Sequence, residues 1–346
     1  MAIVWFILIL GAIVLVHEFG HFIFSKLFGV YVYEFSIGMG PKIFHHKKKD
    51  KETEYCIRAI PIGGFVSLAG EDADDNSKID KKRMLYSKPV WQRLIIMIAG
   101  ATFNFIFAFI LLFIMALIYG SISTKPIIHT VNEEYPAYEA GIKKGDKILS
   151  INGNKVSSWS EVQLYIGLSQ GEDITFELKD TTGNKRSIIV KPITNKDEEG
   201  NESYIVGIGI DTTVKKGLLN SLSYACETTV SLYKLMLTTL KQLFTGGVST
   251  KDLSGPVGIY TIVDSQSKQG LQNIIYLTAY LSMNVGVINL LPFPAFDGGR
   301  VLFLIIEKIR RKPIPAKIEG LVNSIGFMLL MLLMVYVTFN DILRLF

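Results

Sequence analysis

The sequence predicts a polytopic α-helical membrane protein with four transmembrane helices and one α+β domain placed between the second and the third. Three observations predict it. The 346 residues are 49% hydrophobic and only 19% charged, with mean hydropathy +0.34, which excludes disorder and is unusual for a soluble enzyme. Several apolar runs are long enough to cross roughly 30 Å of hydrocarbon at about 1.5 Å per residue. The middle of the chain instead changes to short β-type runs separated by turn signals.

Ala2 to Phe24 reads AIVWFILILGAIVLVHEFGHFIF, and no Lys or Arg precedes Lys26. A cleaved signal peptide wants a basic start and a small-residue cleavage site, so this is a retained helix. Leu94–Gly120 and Gly320–Asn340 are uncharged and read as spans. Leu271–Ile306 is a broken span, since Pro292 and Pro294 remove backbone donors that lipid cannot replace, and Asp297 and Arg300 follow them. Between the second and third spans, ITFELK, SIIVKP and YIVGIGI are separated by turn signals such as Asn152-Gly153 and Thr182-Gly183. Leu218–Phe244 is amphipathic, with Glu227, Lys234 and Lys241 on one helical face. That face is either solvated on a packed helix or the polar side of a helix on the outer membrane surface. The resulting divisions are membrane core 1–120, domain 125–211, helical segment 217–270 and membrane core 271–346.

Flanking charge sets the sidedness. Lys308, Arg310, Arg311, Lys312 and Lys317 lie between spans three and four, and Lys47, Lys48, Lys49, Lys81, Lys82 and Arg83 lie after span one. Positive links stay cytoplasmic, so both termini and the α+β domain are expected outside a cell membrane. The net charge of +5 comes with no long basic stripe, so nucleic acid is not an expected partner. Cys56 and Cys226 form no CxxC pair or framework, so neither a thiolate metal site nor a disulfide scaffold is the expected reading.

Ionisable groups inside hydrocarbon cost several kcal/mol and need a partner or a role. His17, Glu18 and His21 form H-E-x-x-H in span one. On a helix, the two imidazoles lie one turn apart on one face, where both can bind one Zn²⁺, and Glu18 stands beside the ion as a candidate base. A polar network between helices without metal is the alternative. A zinc hydrolase needs a third ligand. His45, His46 and His129 lie in polar links, whereas Asp297 is the only acidic residue in the third span and falls in the same cytoplasmic-side half as His17 and His21. The competing role for Asp297 is an ion pair with Arg300.

HEFGH, the N-x-x-P-x-P-x-x-D-G-G segment around Asp297, EFSIGMGPKIF, EYCIRAIPIGGFVSLAGE and SGPVGIY together resemble the site-2 protease family, of the bacterial regulator-of-sigma-E type. Ala137–Val162 looks like part of a PDZ domain through its A-G-x-x-x-G-D-x-I-x-x-I-N-G core. One departure is Ala99-Gly100-Ala101-Thr102-Phe103-Asn104, where such proteins often have A-G-P-x-x-N. The resemblance implies zinc held by His17, His21 and Asp297, with Glu18 as general base and no small-molecule cofactor. It also implies hydrolysis inside the bilayer of single-span membrane proteins such as anti-sigma factors, or of signal-peptide remnants, after a first cut elsewhere. Residues 54–68 resemble the family's membrane-associated β-hairpin, an edge that could hold an unwound substrate; a small cytoplasmic hairpin is the alternative. Its Gly63 and Gly64, with Asn289, are the substrate-binding candidates, although a helix-to-helix hydrogen bond also suits Asn289, and is expected of Asn104. The PDZ-like domain either captures peptide ends or filters substrates by size. A membrane scaffold without catalysis and an anchored protease of soluble proteins are the other functional classes.

Overall fold

The computed structural model describes residues 1–47, 52–71, 79–196, 202–246, 253–312 and 314–344; Lys48 and Lys49, used above for sidedness, lie outside these. Four helices among the described residues are long and apolar enough to cross a membrane: Ala2–Leu27, Val90–Tyr119, Leu271–Asn289 and Lys317–Leu343. The chain divides into two compact units, 1–111 with 250–346, and 112–249.

The first unit opens with α1 (Ala2–Leu27), which ends where Gly29 takes φ +68°. Two long strands follow, β1 (Val32–His46) and β2 (Glu54–Leu68). The sequence placed the hairpin within 54–68, but that stretch is a single strand, and its partner is the segment containing EFSIGMGPKIF. The register runs from Val32 opposite Leu68 to Ile37 opposite Gly64, and Glu34 to Ile37 pair a second time, with Glu54 to Ile57. The first half of β1 therefore has a neighbour on both sides, so its backbone groups are satisfied without borrowing from water.

α2 (Val90–Tyr119) starts directly after Pro89, whose missing N–H costs nothing at a helix start. Gly20 lets α1 and α2 approach closely, because a Cβ there would stand 2.5 Å from the Ala99 carbonyl oxygen.

In the second unit come β3 (Thr130–Val131), α3 (Pro136–Glu139), β4 (Lys147–Ile151), β5 (Asn154–Lys155), α4 (Trp159–Leu168), β6 (Ile174–Lys179), β7 (Lys185–Val190), β8 (Ile193–Lys196), β9 (Glu202–Ile205) and β10 (Ile208–Gly209). The main sheet has the order β5-β4-β6-β7. Asn152 and Gly153, with φ of 49° and 76°, make the tight turn between β4 and β5 that the sequence predicts. Ile148, Ile151, Ile174, Phe176 and Leu178 from the sheet close on Val162 and Ile166 of α4. Ser158 and Glu161 form a capping box at the start of α4.

α5 (Leu218–Thr245) belongs to this unit as well. Its polar residues are not simply solvated: Glu227 accepts from the Thr124 hydroxyl at 2.6 Å, Ser231 donates to Ser158 at 2.7 Å and Lys234 donates to Ser157 at 3.0 Å. The face that sequence reading gave to solvent or to a membrane surface holds the helix on its own domain. Leu218, Leu219, Leu222, Val230 and Phe244 stay exposed instead.

The chain then returns to the first unit with α6 (Pro256–Gln269), α7 (Leu271–Asn289), α8 (Asp297–Arg310) and α9 (Ala316–Leu343). α6 packs in a core of Phe6, Ile9, Ile13, Val263, Ile274 and Leu277, so residues 256–269 go with the membrane unit and not with the helical segment preceding it. Asp341 of α9 accepts from the Gly258 N–H at 2.8 Å and so caps α6. The predicted break in the third span is present between Asn289 and Asp297, with Ala295 at φ +78°. Leu304 of α8 shares a core with Ile96 and Met97 of α2 and with Val32 and Leu68 of the hairpin. This core fixes α8 and the hairpin against the same stretch of α2.

Candidate metal centre

His17 and His21 occupy successive turns of α1, and both are buried. Asp297 is the first residue of α8. Its position depends on the two glycines that follow: a Cβ on Gly298 would lie 2.3 Å from the carbonyl oxygens of Leu290 and Leu291, and one on Gly299 would lie 2.4 Å from that of Phe293. Only a chain without side chains there can fold the proline-containing turn back against the helix start. The carboxylate is thereby presented to α1.

Asp297 Oδ2 stands 3.1 Å from His17 Nε2 and 3.3 Å from His21 Nε2, and the two imidazole nitrogens are 3.2 Å apart. A tetrahedral zinc ion bonded at about 2.0–2.1 Å spaces its ligand atoms by about 3.3 Å. The three edges match that spacing. Asp297 Oδ2 is buried and has no aligned hydrogen bond among the described residues, a costly state for a carboxylate unless a cation faces it. Gly100 of α2 supplies the room, since a Cβ there would lie 2.4 Å from His21 Nε2 and 2.7 Å from His17 Nε2. His21 Nδ1 lies 2.8 Å from the Ile96 carbonyl. A carbonyl only accepts, so Nδ1 carries the proton and Nε2 offers its lone pair to the cluster. The donor set suits zinc.

Glu18 lines the same cavity of about 270 Å³ as His17, His21, Asp297 and Asn289. The competing partner for Asp297 is elsewhere engaged: Arg300 pairs with Glu71, just beyond β2. Of the substrate-binding candidates, Asn289 faces the cavity while donating to the Val285 carbonyl at 3.0 Å. A Cβ on Gly64 would lie 2.7 Å from the Ser36 carbonyl oxygen and 3.6 Å from Glu18 Cγ, so this glycine lets the strand approach Glu18. Gly63, at φ +86°, packs on the Met39 side chain and not in the cavity. The hairpin residues that line it are Phe65, Val66 and Leu68. Sequence reading passed over these three, and over Glu71, although all lie within EYCIRAIPIGGFVSLAGE. His45 lies at the hairpin's far end, 2.9 Å from Glu54.

Glu34, Glu54 and Cys56 form a second group of possible donors on the hairpin. Lys42 already lies 2.8 Å from Glu34 and 2.7 Å from Glu54, and Arg58 lies 2.6 Å from Glu34. Burial and the neighbouring Glu34 push the Cys56 thiol up, away from the thiolate a metal needs. A group that already holds two cations is a poor place for a third.

The model of peptidase family M50 matches residues 5–333. The chain belongs to peptidase family M50. Relatives cover its whole length: the regulator of sigma-W protease RasP of Bacillus subtilis is 36% identical over 422 residues, 99% of both chains, and the zinc metalloprotease RasP of Bacillus licheniformis is 35% identical over 421 residues, again 99% of both. This M50 chain is therefore a zinc metalloprotease in a multi-pass membrane protein. The PDZ domain of an SdrC-like protein from Listeria innocua aligns with 27% of this chain and 99% of its own at 26% identity, with a TM-score of 0.21.

Proposed function

We propose that this M50 protease holds its zinc through His17 Nε2, His21 Nε2 and Asp297 Oδ2 and uses Glu18 as general base to cut peptide bonds within the membrane. The observation that carries the reading is the convergence of three donor atoms, each 3.1 to 3.3 Å from the others, one of them a buried carboxylate oxygen with no aligned hydrogen bond among the described residues. When bound, zinc supplies Lewis-acid polarisation of the scissile carbonyl and draws the pKa of its water toward about 7. Glu18 takes the proton from the attacking water onto its carboxylate and returns it to the leaving nitrogen. His21 keeps its lone pair on the cluster through the Ile96 carbonyl.

A helical substrate must unwind before its peptide bonds can be attacked. The edge formed by Phe65 to Leu68 borders the cavity, and an extended segment added there would lie beside Glu18. Asn289 lies across the same cavity, where its amide can meet a substrate backbone. The substrates on this reading are single-span membrane proteins, anti-sigma factors among them, or signal-peptide remnants left by an earlier cut. The B. subtilis relative's name as a sigma-W regulator supports the former. Both termini and the domain at 125–211 lie outside the cell, with the metal centre near the cytoplasmic side.

Glu18→Gln is expected to abolish cleavage of a single-span test substrate while one zinc per chain remains; full activity would remove Glu18 as the base. Asp297→Asn is expected to lower zinc per chain, and unchanged stoichiometry would point to another third ligand.

A further inference from the structure

His21 has its proton placed by a carbonyl, but the corresponding nitrogen of His17 faces a side chain. Asn104 is fully buried on α2, one helical turn beyond the Gly100 that makes room for the cluster. Its amide lies 3.2 Å from His17 Nδ1. Its backbone carbonyl accepts from the Ser282 hydroxyl at 2.9 Å, which fixes the residue between α1 and α7. Asn104 is thus an inter-helix hydrogen bond, as the sequence suggested, but the helix it reaches presents a histidine of the metal cluster.

The two ends of an amide have nearly the same shape, so the end that faces a partner is decided by hydrogen bonding. With the NH2 toward His17, Nδ1 must carry the lone pair, and a neutral imidazole then bears its proton on Nε2, pointing into the metal cluster. Such a ring cannot bind a metal through Nε2. With the carbonyl oxygen toward His17, Nδ1 carries the proton and the Nε2 lone pair faces Asp297 and His21. Among the described residues, Oδ1 has no other hydrogen-bond partner that would hold it away from the ring. The requirement already met at His21 by the Ile96 carbonyl then holds at both rings.

We propose that Asn104 is a positioning residue of the metal centre: its side-chain carbonyl accepts the Nδ1 proton of His17 and so turns the Nε2 lone pair toward His21 and Asp297. This rests on the zinc ligands proposed above. Partners behind a ligating histidine typically change metal affinity by about 10–100-fold when lost.

The test measures zinc affinity of the full-length protein in detergent by competition with a chromogenic chelator, for the parent chain, Asn104→Asp, Asn104→Leu and His17→Ala. Asp can only accept at this position, whereas Leu keeps much of the volume and offers neither role. The expected result is zinc held by Asn104→Asp no more than about threefold more weakly than by the parent, and an affinity loss of about 10–100-fold in Asn104→Leu. Loss of zinc in Asn104→Asp, or parent-like affinity in a folded Asn104→Leu, overturns the proposal. If Asn104→Leu does not fold, by far-ultraviolet circular dichroism, Asn104→Asp decides alone. Zinc retained in His17→Ala overturns the ligand assignment and this inference together, whereas loss there with loss in Asn104→Asp overturns this inference only.

Discussion

Asp297 is placed by its neighbours more than by its own chemistry. Gly298 and Gly299 leave no space for a Cβ against the carbonyls of Leu290, Leu291 and Phe293, so the D-G-G triplet is a packing requirement of the proposed metal centre. Gly298→Ala should force the turn away from α8 and move the carboxylate off the histidines. The expected outcome is zinc content well below one per chain and no cleavage, while Gly320→Ala, whose Cβ would meet nothing within 4 Å among the described residues, should leave both unchanged. Metal analysis of the purified variants checks this. His17, Glu18, His21 and Asp297 stood out in the sequence because ionisable groups inside apolar helices are costly and need a partner or a role. Gly100 and the Ile96 carbonyl were not. A glycine in an apolar run and a backbone oxygen carry no sequence signal, and their roles exist only once α1 and α2 cross.

At the scale of elements, the hairpin and α8 meet twice, through the shared core around Leu304 and through the ion pair of Arg300 with Glu71. The pair links the chain just after β2 to the helix that begins with Asp297. Breaking it should loosen the proposed substrate edge relative to the proposed ligand Asp297 and slow cleavage without releasing zinc. In a double-mutant cycle on cleavage rate, Arg300→Ala and Glu71→Ala should couple by on the order of 1 kcal/mol, and strict additivity would show that the pair plays no part. Only half of the hairpin was legible. β2 stood out as an apolar run between charged regions, whereas β1 ends in Pro41, Lys42, His45 and His46 and reads as a polar link. Its role depends on pairing with residues far along the chain, which a local pattern cannot display. The α5 helix shows the same limit: its periodicity was readable, but the partner of its polar face was not, since Ser157, Ser158 and Thr124 come from elsewhere in the domain.

For the whole molecule, the proposed topology rests on four spans and on positive links after spans one and three, from which the positive-inside rule predicts that the domain carrying α5 lies outside the cell. The two cysteines offer a direct check, since Cys226 is exposed on α5 and Cys56 is buried in the hairpin. A membrane-impermeant thiol reagent added to intact cells should label the parent protein and fail to label Cys226→Ser. Labelling only after the membrane is opened would invert the topology. The spans were readable because hydrocarbon demands long apolar helices, and the break in the third because lipid cannot satisfy the backbone around two prolines.

The proposed chemistry depends on the identity of the atoms that hold zinc. X-ray absorption at the zinc edge of the purified full-length protein measures them directly. The expected result is a shell of nitrogen and oxygen at about 2.0–2.1 Å with the outer scattering of two imidazoles; a sulfur neighbour at about 2.3 Å would instead place the ion at Cys56 and contradict the proposed centre.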